Sequence, residues 1–425
     1  MTNLDVPPSL PARWLTAPGW RAPRLLTRRR IDLALRARSA AGLPISRARF
    51  QAMGLPDEAI VTALRRVRSV ADWDGAWIGV AQALLAEARR HGGEGRLYEE
   101  AMARRHAALC YHAAQLFVVD DAKKMRAVRA SATTLFAQSL PALMSTVTRV
   151  ETVWRTASLP GYLARPRLGP RPAPLAVFLN GATTAKEETL LWAQALLGQG
   201  IAILALDWPG TGEAGQTLAV TPDCDDITDG IVAFAKEDAG LDETRIALVG
   251  ISLGGALAVR CAAFDRRIAA VVAVTPPYNA ARWLPFVNSL LLEQLTTLNG
   301  DRETVDRLAA GFAIDGLTER LRCPVLAIGA GRDVVVPPTE AQRLCADIPH
   351  LSTLVWYPEA GHAAYEMVDD WSEVVALWLR AILVDEGREE STPVDDRASS
   401  QATRRSQVIE ESYSPAATAR SPVIT

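Results

Sequence analysis

The pattern of apolar and polar positions changes character near residue 150. Before that point apolar residues recur every three or four positions. They do so over residues 55–70, 73–90, 98–119 and 122–140, the spacing of one face of a helix. Asp72 and Asp74 are candidate helix starts, His91-Gly92-Gly93 is a stop, and Pro141 is expected beyond the last helix. After residue 150 short β-branched runs alternate with helical stretches. The pattern predicts strands at 151–158, 161–165, 175–180, 201–207, 245–250, 268–275, 324–329 and 352–357. It predicts helices at 187–197, 225–237, 254–264, 339–348 and 370–383. This alternation is the mark of an α/β fold with a mostly parallel sheet and helices on both faces. An all-helical region precedes it.

The expected organisation is therefore a helical N-terminal domain over 1–150 and an α/β domain over 151–385. A helical insertion at about 279–321 breaks the alternation and is expected to cover the site. From 386 to 425 the chain is polar, poor in aromatics and without periodicity, which predicts a disordered tail.

Composition narrows the function classes. At 425 residues and 49% hydrophobic content, the size needed for a large core is not limiting. No apolar run reaches the 18 residues of a membrane span, and the first 14 residues lack the apolar segment of a secretory signal. The five cysteines (Cys110, Cys224, Cys261, Cys323, Cys345) form no CxxC pair, and His106 and His112 are six apart, unlike a helical zinc pair. A reducing cytoplasm with no metal and no cofactor is the expectation. Residues 1–150 hold 23 Lys/Arg against 12 Asp/Glu, a net of +11, and the remainder holds 23 against 36, a net of −13. The basic residues are spread among Ala and Leu at helical spacing with little aromatic interleaving, which argues against nucleic-acid binding. The split fits a basic helical domain docked on an acidic partner domain of the same chain. The expected partner is a small-molecule substrate, with no nucleic acid and no membrane; a homodimer is compatible.

Candidate chemistry is concentrated at strand ends. Gly250-Ile251-Ser252-Leu253-Gly254-Gly255 follows a predicted strand and opens a predicted helix, the nucleophile-elbow pattern. Such a turn lifts the Ser252 hydroxyl above the sheet, and Gly250 and Gly254 remove side chains that would collide with neighbouring backbone. A serine nucleophile needs a base, and the base needs an orienting carboxylate. Downstream histidines are His350, at a helix end, and His362, in the loop after the last strand; His362 is the candidate base. Asp333 is the sole acid in the loop after the penultimate strand, and residues 275–283 contain no carboxylate, so Asp333 is the candidate acid. An oxyanion hole would take one N–H from Leu253 and one from the loop after residue 179, with Ala182 next to Gly181. Trp208, Tyr278 and Trp283 are candidate walls of a substrate pocket. Gly210–Gly215 fits GxGxxG, but residues 216–222 read as loop and not as a helix, so dinucleotide binding is not expected.

Four runs together resemble one branch of the α/β-hydrolases: Asn180–Glu188 (NGATTAKEE), Asp207–Glu213 (DWPGTGE), Gly250–Gly255 (GISLGG) and Gly361-His362. That branch includes 2,6-dihydropseudooxynicotine hydrolase and fungal hydrolases that shorten polyketide chains, and the resemblance covers about residues 70–385. It implies an α/β-hydrolase core behind a helical cap, with Ser252, Asp333 and His362 as catalytic triad and Ala182 and Leu253 as oxyanion hole. Lys186 and Glu187 match the branch's T-K-E-E run, where loop structure is the implied role. The nicotine-pathway member carries a further functional glutamate after the strand that follows the nucleophile helix. Here residues 275–283 have none and the first downstream acid is Glu293, so the same substrate and carbon–carbon mechanism are not implied. The reaction expected is hydrolysis of an ester, lactone or ketone-type C–C bond in a small or polyketide-like molecule. An acyltransferase or cyclase would use the same triad, and a non-catalytic binding module on this scaffold is the reading from a different class.

Overall fold

The computed structural model describes residues 28–37, 46–118, 121–287, 289–385 and 423–424. Among these, six helices precede the sheet: α1 (Arg28–Arg36), α2 (Arg47–Ala52), α3 (Asp57–Arg66), α4 (Trp73–Gly93), α5 (Leu97–Gln115) and α6 (Ala122–Leu143). α6 runs through Pro141, contrary to the expected stop. In the last turn a proline forfeits a single helical hydrogen bond, and the helix closes one turn further on, where Met144 N–H donates to the Leu140 carbonyl at 2.7 Å.

Eight strands follow: β1 (Val147–Trp154), β2 (Ala157–Ala164), β3 (Ala173–Leu179), β4 (Ala202–Leu206), β5 (Leu241–Ile251), β6 (Ile268–Val274), β7 (Val325–Ala330) and β8 (Ser352–Tyr357). Their spatial order is β1-β2-β4-β3-β5-β6-β7-β8, antiparallel as far as β4 and parallel from there on. The first hairpin turns at Arg155-Thr156, four residues earlier than the pattern predicts. Pro160-Gly161 reads as a turn in sequence, yet both lie inside β2, where the Pro160 carbonyl accepts from Asp207 N–H at 3.0 Å. The expected disordered tail lies outside the described residues except for Val423–Ile424. These two β-branched residues pair antiparallel with the outer edge of β8.

Helices α7 (Lys186–Trp192), α8 (Gln194–Gly198), α9 (Ile227–Glu237) and α10 (Leu253–Phe264) connect the strands. The insertion carries α11 (Ser289–Asn299) and α12 (Arg302–Gly311), and α13 (Thr339–Asp347) and α14 (Val368–Arg380) complete the chain of helices. All residues of β3 and β4 are buried, as expected for parallel strands covered on both faces. Period-2 alternation splits them. Leu175, Val177 and Leu179 face one apolar cluster with α9 and α10. Ala176 and Phe178 face the other, which runs without a break from Ile31, Phe50, Trp73 and Trp77 in the helical region to Trp371 in α14. The helical region thus shares its core with the sheet. Phe50 stacks 4.8 Å from Trp77, Trp73 meets Phe117 edge-on at 4.5 Å, and the Trp73 indole N–H donates to the Ala113 carbonyl at 2.9 Å.

A buried carboxyl holds the start of the insertion. Glu340 of α13 is fully buried and accepts from Asn279 N–H at 2.9 Å and from the Trp283 indole at 2.8 Å. Burial pushes this carboxyl up to about 7 from its ordinary 4.5, and the two N–H donors offset only part of that. The folded value lies above the unfolded one, so its stabilising effect is full below about pH 4.5. It is then lost as pH rises to about 7. The expected loss over that window is roughly 3 kcal/mol, at about 1.4 kcal/mol per pH unit. Denaturant titrations at pH 4.5 and 7.5 should show this component in the wild type and not in Glu340→Gln.

Candidate active site

The site forms where the C-terminal ends of β3, β5, β6, β7 and β8 meet. Ser252 sits between β5 and α10 with φ 53° and ψ −119°, a left-handed conformation costly for a side-chain-bearing residue. Two contacts hold it there. Its N–H donates to the Val274 carbonyl at 2.8 Å and its carbonyl accepts from Gly255 N–H at 2.8 Å. A Cβ on Gly250 would lie 2.1 Å from the Gly254 oxygen, and one on Gly254 would lie 2.2 Å from the Leu179 oxygen. Both glycines are therefore required by close backbone approach.

Ser252 Oγ lies 3.0 Å from His362 Nε2, and His362 Nδ1 lies 2.7 Å from Asp333 Oδ2. Asp333 is 1% exposed, and its other oxygen accepts from Val335 and Val336 N–H at 2.8 and 2.9 Å. The loops bearing Asp333 and His362 are laced together. Gly331 N–H donates to the Tyr357 carbonyl and Arg332 N–H to the Ala360 carbonyl, both at 2.9 Å. Ala363, also left-handed at φ 58°, donates its N–H to Thr275 Oγ1 at 3.2 Å. His350 is exposed and remote from this cluster.

The loop after β3 brings Ala182 beside Ser252; a Cβ on Gly181 would already lie 3.3 Å from the Ser252 Cβ. Neither Ala182 nor Leu253 donates its backbone N–H to any described residue, which leaves both free. This loop rests on buried charge. Lys186, fully buried, places Nζ 2.9 Å from Asp207 Oδ2, 2.9 Å from Glu213 Oε2 and 3.0 Å from Glu187 Oε1. Burial alone would lower this ammonium, but the surrounding carboxylates, Asp207 first, hold it well above its ordinary value. Asp207 also accepts from Lys186 N–H, from the Asn180 amide and from Glu213 N–H. The glycine-rich run supplies the fit: a Cβ on Gly212 would lie 2.2 Å from Asp207 Oδ1. Gly210–Gly215 therefore wraps a carboxylate of its own chain.

Next to it, Glu188 pairs with Arg49 of α2 at 3.2 Å and bonds His112 of α5. Burial alone would raise the Glu188 carboxyl, but Arg49 and His112 outweigh it and hold it below the usual range. Arg49 also donates to the Thr183 carbonyl at 2.9 Å. The helical region thus grips the loop that carries Ala182. Arg49 and Glu188 belong to the site's frame; Glu188 ends the NGATTAKEE run, whereas Arg49 carries no local signature in the sequence.

Two chambers open on Ser252. One, of about 110 Å³, is apolar and lined by Trp283, Leu284, Leu295, Leu298, Leu308 and Phe312 of the insertion. The other, of about 90 Å³, lies under the helical region and is lined by Arg49, Phe117, Gln294, His362 and Tyr365. Of the three aromatic wall candidates, Trp283 lines the apolar chamber. Trp208 and Tyr278 line neither. Trp208 is fully buried behind the loop, donating to the Asn180 carbonyl at 2.8 Å and packing on Phe312. The Tyr278 hydroxyl turns away to donate to Asp347. Gln294 escaped sequence reasoning, although it is the one polar residue in the stripe Leu291, Gln294, Leu295 and Leu298. The described residues hold no group of three or more His, Cys, Asp or Glu placed to bind a metal, and no helix among them is long and apolar enough to cross a membrane.

The alpha/beta hydrolase family profile matches residues 176–377. The chain is 28% identical over 200 residues to 2,6-dihydropseudooxynicotine hydrolase of Paenarthrobacter nicotinovorans, covering 47% of this chain and 54% of that one. It is 27% identical over 284 residues to hydrolyase ccsE of Aspergillus clavatus, covering 53% and 65%. The matched region thus spans a little more than half the length of these curated relatives. A solved structure of 2,6-dihydroxy-pseudo-oxynicotine hydrolase superposes with a TM-score of 0.70 at 23% identity, over 80% of this chain and 96% of that one. AbyA5 superposes with a TM-score of 0.61 at 18% identity, over 79% and 93%. The chain has the α/β-hydrolase fold with an N-terminal helical region.

Lys186→Met removes the buried cation shared by Asp207 and Glu187 and leaves Glu213 with Arg149 alone. The expected loss in equilibrium unfolding is about 3–5 kcal/mol, against under 1 kcal/mol for an exposed pair such as Arg302–Asp306.

Proposed function

Starting from the α/β-hydrolase fold, we propose that this chain is a serine hydrolase that cleaves a bond next to a carbonyl in a small-molecule substrate, an ester, lactone or ketone-type C–C bond, through an acyl-enzyme. The observation that carries this reading is the continuous run from Ser252 Oγ through His362 to Asp333, at 3.0 and 2.7 Å, opening on two chambers. Ser252 Oγ attacks the carbonyl carbon while His362 Nε2 takes its proton. Asp333, fixed by two backbone N–H groups, holds Nδ1–H and stabilises the imidazolium that forms. The negative charge moves onto the carbonyl oxygen, where the free N–H groups of Leu253 and Ala182 meet it. The tetrahedral species collapses, and the leaving group departs with the proton from His362. Water then attacks the acyl-enzyme with His362 again as base, and Ser252 regains its proton as the acid is released.

The helical region and the insertion act as roof. They bury the chambers, and a drier site strengthens the oxyanion interaction. The described cysteines are unpaired and four of the five are buried, which fits action in a reducing cytoplasm.

Ser252→Ala is expected to lower kcat roughly 10⁴–10⁶-fold and to abolish fluorophosphonate labelling, with an unchanged melting temperature within about 2 °C. Asp333→Asn should keep the fold and cost about 10⁴ in kcat, because the amide favours the wrong tautomer of His362. Near-wild-type turnover by Ser252→Ala on the substrate used would exclude the covalent mechanism.

A further inference from the structure

Helix α11 faces the site with a single stripe. Leu291 borders both chambers, Leu295 and Leu298 turn to the apolar one, and Gln294 turns to the other. These positions are three and four apart, the spacing of one helix face. A fourth leucine at 294 would complete an ordinary apolar stripe. Instead a glutamine side chain is 5% exposed there, and it has no hydrogen-bond partner among the described residues. Its amide faces the chamber, where a ligand oxygen or N–H can bond it in place of water.

Among the other polar groups of this chamber, which include Thr183 and Tyr365, the charged Arg49 narrows the chemistry. Arg49 has its terminal nitrogens on Thr183 and Glu188, and its Nε is buried without an acceptor. Its charge is matched by Glu188, which is fully buried 3.2 Å away. The chamber therefore offers hydrogen-bond donors without a net charge to attract an anion. A carboxylate or phosphate would be left uncompensated there, whereas a ketone, ester or hydroxyl oxygen would not.

We infer that Gln294 is a specificity residue that reads a neutral oxygen of the substrate, so that the preferred substrate has an apolar arm on one side of its scissile carbonyl and a carbonyl or hydroxyl oxygen on the other. The apolar arm enters the chamber of Leu295, Leu298 and Phe312, and the oxygen-bearing arm lies beneath Gln294 and Arg49. Both arms radiate from Ser252, the point the two chambers share. This inference rests on the acyl-enzyme reading of the site.

The test uses the full-length chain and two matched pairs of small activated esters. In each pair a plain aliphatic ester is compared with one in which a methylene two or three atoms from the scissile carbonyl is replaced by a ketone. The ketone is on the acyl arm in one pair and on the alcohol arm in the other. The readout is the ratio of kcat/KM within a pair, which an overall loss of activity does not disturb. In the wild type one pair should favour the oxo ester roughly tenfold or more, and Gln294→Met should bring that ratio to within about threefold of unity. Gln294→Asn, which keeps the amide on a shorter stem, should retain part of the preference. Gln294→Met should also melt no lower than wild type, since it replaces an unpartnered amide with an apolar side chain of similar size; a lower melting temperature would show a structural partner for Gln294 and overturn the inference. A wild-type ratio near one in both pairs overturns it without any variant, and so does an unchanged ratio in Gln294→Met. Fluorophosphonate labelling separates the two readings. Failure to label Ser252 in the wild type sinks the acyl-enzyme, whereas normal labelling with a flat ratio sinks the role of Gln294 alone.

Discussion

The buried ammonium of Lys186 is the interaction on which the geometry above the sheet depends. It stands at the first turn of α7 with three carboxylates around it, and one of these, Asp207, also collects N–H donors from the loop after β3 and the loop after β4. A carboxylate with that many fixed donors can adopt one position, and the two loops inherit it. The free N–H of Ala182 is a consequence, because the loop's polar groups are already committed to Asp207, Thr184 and Arg49. A buried ion pair of this kind adds little net stability over an apolar packing, but breaking it is costly. Its contribution here is to specify one loop conformation.

The second constraint is backbone strain shared across three loops. Ser252, Thr275, Ala363 and Ala364 all have positive φ without being glycine. Each is held by neighbours and not by its own preference. Ser252 is bonded to β6, Thr275 N–H to the Ile328 carbonyl at 2.7 Å, and Ala363 to the Thr275 hydroxyl. The three loops hold one another in place, so the Ser252–His362 and His362–Asp333 distances follow from strand positions in the sheet. Rigidity of this kind suits a site in which donors wait for charge that appears only during reaction.

The helical region and the insertion enter the site by different means. The helical region contributes Arg49 and Phe117 through a core it shares with the sheet, and its place is fixed by packing. The insertion forms an apolar cluster of Trp283, Leu284, Val305 and Ala309 with Val336 of the loop after β7, sends Phe312 and Ile314 into the core on one face of the sheet, and bonds α13 through Glu340. The insertion is the wall that carries Gln294.

The sequence by itself determined the elements and the order of the chemistry. The glycines at 250 and 254 demanded a close turn around Ser252. The absence of a carboxylate from residues 275–283 left Asp333 as the acid within reach of His362, and short β-branched runs located all eight strands before residue 385, the first of them displaced by four residues because Pro160-Gly161 imitates a turn. These features are local, each set by sterics or hydrogen bonding within a few residues. Tertiary structure alone decided which aromatics faced substrate, since Trp208, Tyr278 and Trp283 have equal claims in a linear chain and differ only in which neighbour satisfies their polar atom. It also decided that Arg49 and His112 close on Glu188, at separations of 139 and 76 residues. No periodicity encodes a pairing across such distances. It arises because burying a carboxylate is tolerated only where hydrogen-bond donors or a cation have been packed beside it, and for Glu188 these come from distant helices.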